Sequence, residues 1–187
     1  MSQGCAINQI SCIKAAESGH LEVIKWLANK MNRWSFSYKH TRRYISSILH
    51  AAARKGHLHI LEWMIKNVNH AHFEHTLVGK AAQNGHLHIV QWMWKRFSPT
   101  VLNAIANKAA RGGHLDIIIW ANQNGAQFNR DTFVKAVIGG HLHIIEYLST
   151  LGCSYWDDKA LLKVAENGHL ELLKWVSKSG LAKDICV

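Results

Sequence analysis

The chain has 187 residues, with 22 Lys/Arg against 12 Asp/Glu, 14 His and a formal net charge of +10. Hydrophobic residues make up 48% and a single proline is present, which excludes a disordered chain and favours ordered helix. No run approaches the ~20 apolar residues of a membrane helix, and the start MSQGCAINQISC lacks the basic end and apolar core of a secretory signal, so the expectation is a soluble cytoplasmic or nuclear protein without membrane contact.

Along the chain the tripeptide Gly-His-Leu recurs at Gly19, Gly56, Gly85, Gly113, Gly140 and Gly168. Seven positions after each glycine stands a large ring: Trp26, Trp63, Trp92, Trp120, Tyr147 and Trp175. Successive glycines are 37, 29, 28, 27 and 28 residues apart, a period that marks a solenoid array. Counted from the glycine, positions +4, +5 and +8 are apolar with +2 and +7 on their flanks, as in Leu87, Ile89, Val90, Trp92 and Met93. At about 100° per residue these fall on one face of an amphipathic helix.

Ahead of each glycine, positions −4 and −3 are small or slender: Ala15-Ala16, Ala52-Ala53, Ala81-Ala82, Ala109-Ala110, Ala136-Val137 and Val164-Ala165. Small residues there let a first helix lie close against the second. Leu49, Val78, Phe133 and Leu161, one turn earlier, complete the inner stripe of that helix. The pattern predicts an all-α solenoid of about six stacked helix–turn–helix repeats joined by short turns, forming one domain over 1–187. In chain order the repeats fall near 5–31, 41–67, 73–97, 100–124, 131–151 and 157–180, with an insertion at 31–44. The first and last repeats act as caps. Asp131 and Asp157, after the turns at Gly125 and Gly152, are expected N-caps.

Each glycine is expected to end its first helix in the left-handed region. The histidines that follow, His20, His57, His86, His114, His141 and His169, have a structural reading: each ring bonds backbone groups of its own tight turn. Stacked helices stand about 8–10 Å apart, which keeps successive rings from sharing one metal ion. His59, His88 and His143 are expected on the surface, with Glu62, Gln91 and Glu146 as local partners. The ring at +7 has two readings, a stacking platform for bases or a filler of the core between repeats, and its place beside a buried face favours the filler.

The insertion MNRWSFSYKHTRRY interleaves Arg33, Lys39, Arg42 and Arg43 with Trp34, Phe36, Tyr38 and Tyr44. It reads as an extended loop with packed rings, as a contact for an acidic protein or as a contact for nucleic acid. Arg33, Trp34, Tyr38, Lys39, Arg42 and Arg43 are the candidate partner-binding residues. Residues 1–111 hold 15 Lys/Arg against 4 Asp/Glu and residues 112–187 hold 7 against 8, so the front half favours an acidic partner. NHAHFEH gathers His70, His72 and His75 beside Glu74, but a polar turn accounts for it and no metal site is expected. Cys5, Cys12, Cys153 and Cys186 show no metal or redox spacing and read as reduced thiols. No phosphate-cradling loop, nucleophile elbow or HExxH is present, so neither catalysis nor a cofactor is expected.

The paired alanines, Gly-His-Leu and the amphipathic second helix resemble the ankyrin repeat over roughly residues 10–180. Strings such as KAAQNGHLHIVQWM and KVAENGHLELLKWVSKSG are similar to the short ankyrin-like repeats of giant DNA viruses, amoebae and some oomycetes. The resemblance implies a non-enzymatic scaffold that holds a protein partner and acts as a monomer, with a host protein as the partner if the source is viral. A nucleic-acid-associated protein that binds through its basic front half is the alternative. The Thr-Pro-Leu-His opening of the family's first helix is missing, with His50 alone matching its histidine, so the apolar ladder is expected to do more of the joining. A period of 28 residues is also about five short of the usual 33, which implies compact turns in place of projecting hairpins.

Overall fold

Two helices flank every Gly-His-Leu turn. The computed structural model describes residues 9–30, 38–68, 75–97 and 101–179, with backbone alone at 9, 38–43, 75 and 97. The first pair is α1 (Gln9–Glu17) and α2 (Leu21–Lys30), the second α3 (Tyr38–Lys55) and α4 (Leu58–Asn67), the third α5 (His75–Gln83) and α6 (Leu87–Phe97). Then come α7 (Leu102–Gly112) with α8 (Leu115–Gln123), α9 (Arg130–Gly139) with α10 (Leu142–Thr150), and α11 (Asp158–Glu166) with α12 (Leu170–Lys178). Among the described residues there is no strand.

The odd-numbered helices pack on one another in sequence from α1 to α11, and each also packs on the even-numbered helix that follows it. The even-numbered helices meet one another more sparsely. A stack whose first helices are close and whose second helices are spread is concave on the first-helix side.

Burial follows the repeat register. The +4, +5 and +8 residues of α4, α6, α8 and α10 are all buried: Ile60, Leu61 and Met64, then Ile89, Val90 and Met93, Ile117, Ile118 and Ala121, and Ile144, Ile145 and Leu148. The end repeats show which way each position points. Val23, at +4 of the first repeat, is 45% exposed, so +4 faces the preceding repeat. Ala165, at −3 of the last, is exposed where Ala53, Ala82 and Ala110 are buried, so −3 faces the following one.

The +7 rings are not core. Trp63, Trp92, Trp120, Tyr147 and Trp175 are half-buried rings packed against the core's edge, and Trp26 is 52% exposed. Their position on the flank leaves one side in solvent. Trp120 packs edge-on against Trp94 of the preceding repeat, with centroids 5.7 Å apart and planes at 88°. Trp26 has no described repeat before it, and Lys30 stands 5.8 Å above its ring.

Two local expectations change and one holds. The cap of α9 is Asn129, whose side chain accepts from the N–H groups of Asp131 and Thr132, so Asp131 lies in the first turn. Asp157 does cap α11, accepting from Ala160 N–H at 2.8 Å, and that bond, with the nearby Arg130, holds its carboxyl below the usual range. Residues 38–44 of the insertion are the first turns of α3 and not an extended loop, with the Tyr44 side chain buried. In the core Tyr44 meets the Cys12 thiol, whose pKa burial pushes up.

The two described connections between repeats, 124–129 and 151–157, are compact. Gln127 N–H donates to Asn103 Oδ1 at 3.1 Å, and the buried Thr132 hydroxyl donates to Asn107 Oδ1 at 2.6 Å, tying α9 to α7. The histidine match noted at His50 reaches Thr76 Oγ1 of the next repeat at 3.0 Å.

Half burial scales the cost of losing a ring. Trp120→Ala should cost about 2 kcal/mol, roughly half the value for a fully buried tryptophan, and Trp26→Ala less than about 1 kcal/mol. Urea denaturation of both variants checks this, and equal costs would contradict the edge placement.

Candidate functional site

Histidines cross each repeat boundary. The Nε2–H of His57 donates to Glu17 O at 3.1 Å, that of His86 to Arg54 O at 2.9 Å and that of His114 to Gln83 O at 3.0 Å. His141 donates to Arg111 O at 3.1 Å and His169 to Ile138 O at 2.8 Å. A carbonyl only accepts, so the neutral ring carries its proton on Nε2. The acceptors lie in the last turn of the preceding first helix, where carbonyls lack a partner within the helix. These rings therefore bond the preceding repeat and not their own turn. His20 belongs to the first turn, with no described repeat before it.

The histidines at +3 do the same. His59 donates to Gly19 O at 3.0 Å, His88 to Gly56 O at 3.1 Å and His143 to Gly113 O at 3.2 Å, in place of the local partners Glu62, Gln91 and Glu146. Joining of repeats thus rests on imidazoles as well as on the apolar ladder.

The turn glycines make room for these rings. Gly19, Gly56, Gly85, Gly113, Gly140 and Gly168 all have positive φ. At Gly85, with φ +78°, an added Cβ would also stand 2.6 Å from Cε1 of His114. At Gly168, with φ +71°, it would meet nothing within 4 Å, because no described repeat follows. Where +3 is also histidine the two imidazoles sit edge to face: His57 and His59 are 5.8 Å apart, His86 and His88 6.0 Å, and His141 and His143 6.0 Å. Burial is the main reason that the His141 pKa lies below its usual value, and His143, His114 and His169 push it the same way against the Arg111 backbone bond. Among the described residues no three His, Cys, Asp or Glu side chains gather as a metal ion would require.

The first-helix face carries a column that sequence reasoning passed over. Position −5 is Lys14, Ala51, Lys80, Lys108, Lys135 and Lys163 in the six repeats. Toward the ends these lysines are neutralised, Lys14 by Glu17 at 2.8 Å, Lys135 by Asp131 at 3.5 Å and Lys163 by Glu166 at 2.5 Å. Arg54 shares Glu17 at 2.5 Å, and its charge holds that carboxyl down together with the Lys14 bond, which is the larger cause. Lys80 and Lys108 have no carboxylate in ion-pair range among the described residues.

Two hollows lie beside them. One, of about 260 Å³, is lined by Ile13, Glu17, His50, Ala51, Arg54 and Lys80. The other, of about 280 Å³, is lined by Thr76, Val78, Gly79, Ala104, Lys80 and Lys108. Gly79 stands inside α5, where glycine costs about 0.5–1 kcal/mol relative to alanine. Its missing side chain opens the floor over which the stem of Lys108 lies, with Cγ 3.4 Å from the place a Cβ would take.

Of the candidate partner-binding residues, Arg33 and Trp34 lie outside the described residues. Tyr38, Lys39, Arg42 and Arg43 fall in the first turns of α3, with their side chains outside the described part. His70, His72 and Glu74 also lie outside it, and His75 begins α5. No described helix is long and apolar enough to cross a membrane.

Two family models match the chain. Residues 12–65 match one described as ankyrin repeats (many copies), and residues 49–132 match one described as ankyrin repeats (3 copies). No curated protein matches it. The helix pairs and their histidine bonds continue beyond residue 132 through α12.

His141 gives stability a sign with pH. A histidine whose folded pKa lies below its unfolded value of 6.5 favours the fold while neutral. Its contribution is complete above that value and is lost as pH falls through the lower folded pKa, because the unfolded chain takes the proton more readily. The thermal midpoint should therefore drop between about pH 7.5 and about pH 5.5, and His141→Gln, which cannot titrate, should reduce the drop. An unchanged pH dependence in the variant would contradict this account.

Proposed function

The chain belongs to the ankyrin-repeat family, and from that premise we propose that it is a non-enzymatic scaffold that holds a protein partner on the concave face of its first helices. Ankyrin repeats are generally protein–protein interaction modules. The observation that carries the reading is the pair of adjoining hollows along α1, α3, α5 and α7, which share Lys80. The bonds between repeats take backbone carbonyls at the ends of these helices, which leaves their exposed side chains to meet a partner.

The insertion at 31–44 leads into α3 and brings Arg33, Trp34, Tyr38, Lys39, Arg42 and Arg43 into the same reading as a second contact. The partner is a cytoplasmic or nuclear protein, and the likeness of these short repeats to viral ones supports a host protein. The scaffold acts as a monomer. Nothing in the geometry favours the nucleic-acid reading, since carboxylates interrupt the basic column.

A photo-crosslinking side chain at Gln83, on the hollow, and another at Glu62, on the second-helix row, test this in cells that make the protein. Protease-sensitive, nuclease-resistant adducts should form from Gln83 and not from Glu62. Charge reversal at Arg33, Arg42 and Arg43 should weaken the Gln83 adduct. Equal adducts from both positions, or nuclease-sensitive ones, would overturn the scaffold reading.

A further inference from the structure

The lysine column and the hollows beside it select one kind of partner. Resting on the scaffold reading, we propose that the face of α3, α5 and α7 binds an extended acidic peptide segment. Its carboxylates pair with Lys80 and Lys108, and small or aliphatic side chains between them enter the hollows.

Four observations carry this. Lys80 borders both hollows and Lys108 the second, and neither has a carboxylate in ion-pair range among the described residues. The hollows themselves are floored by small and aliphatic groups, Ala51 and Ile13 in one, Val78, Gly79 and Ala104 in the other. A peptide offers both chemistries in alternation. The glycine at 79 keeps the second hollow open despite its cost inside a helix.

The fourth observation separates a peptide from a longer polyanion. The same column is closed on both sides by Glu17, Asp131 and Glu166, each bonded to the lysine of its own helix. A continuous phosphate backbone crossing the stack would meet those carboxylates, and each like-charge meeting opposes it. A short segment sets its few carboxylates at Lys80 and Lys108 and brings only an apolar side chain beside Glu17 in the first hollow.

Spacing follows from the stack. Packed helices stand about 8–10 Å apart and an extended peptide advances about 3.3 Å per residue, so successive lysines match acidic residues about three positions apart. Exposed ion pairs are individually weak and screened by salt, which makes the complex salt-sensitive and fast to form.

The test uses the full chain and a labelled peptide of about six residues with two Asp three positions apart among Ala and Val, read by fluorescence anisotropy. A second peptide of the same composition groups its aspartates at one end, and a thymidine oligonucleotide carries the same charge. The spaced peptide should bind tighter than the other two. The double change Lys80→Glu with Lys108→Glu should weaken it about tenfold or more. Lys135→Glu with Lys163→Glu alters net charge equally, at the same register, and should leave affinity within about twofold. Circular dichroism of each variant confirms the fold.

Equal loss in both double variants would overturn the proposal, because net charge alone would then be acting. So would absence of peptide binding, or tighter binding of the oligonucleotide. The Gln83 adduct separates this failure from failure of the scaffold reading. If that adduct forms on a protein segment without acidic residues, the acidic peptide is wrong and the scaffold stands. If no adduct forms on this face, both fall.

Discussion

A neutral imidazole that donates from Nε2 to the last turn of the preceding first helix, seated against a glycine with no side chain, recurs from His57 to His169. Each bond satisfies a carbonyl that its helix leaves unpaired. It also brings each ring against the turn glycine of the preceding repeat, a contact that a side chain there would obstruct. With that contact made, the alanines at −4 and −3 and the aliphatic residues at +4 and +5 close on their neighbours without gaps. A stack built this way depends on nearest-neighbour contacts, and its ends show the cost: Val23 and Trp26 at one end and Leu170 at the other are exposed.

Concentrating the joining bonds at the turn edge leaves the first-helix face unconstrained by the fold. The lysine stem at −5 can lie on the preceding repeat, as Lys108 does over Gly79, while its charged end is left to serve recognition. Lys80 and Lys108 keep their charge in the middle of the array, while Glu17, Asp131 and Glu166 cancel it elsewhere. Rigid spacing between repeats then turns a column of lysines into a ruler that a partner must match. Recognition draws on side chains and stability on backbone carbonyls of the same helices.

Much of this was legible in the sequence, and the misreadings have physical reasons. The +4, +5 and +8 stripe declared its burial because apolar spacing at the helical period has one structural meaning. The +7 position lies on the flank of the buried stripe, so its rings touch the core with one side and, as at Trp63 and Trp120, keep the other in water. The histidines were visible but their acceptors were not, because a ring's reach across a boundary depends on the pitch of the stack. Asp131 looked like a cap, yet Asn129 two residues earlier holds the extended backbone that a cap requires. The column at −5 left no burial signal, since exposed lysines are ordinary, and it stands out only in the shared register of the six repeats. Tyr44 closes the insertion with a buried ring, which no charge pattern announces.

The central claim is that each glycine turn works through the imidazole of the next repeat, and a double-mutant cycle on Gly85 and His114 tests it most directly. Gly85→Ala carries both the left-handed strain of about 1 kcal/mol and displacement of the His114 ring, worth about another 1 kcal/mol as a lost hydrogen bond. Gly168→Ala, with nothing within 4 Å, carries the strain alone. The account predicts that Gly85→Ala is the costlier change in wild type, and that in the His114→Ala background its cost falls to that of Gly168→Ala. Strict additivity of Gly85→Ala and His114→Ala in urea denaturation would contradict it.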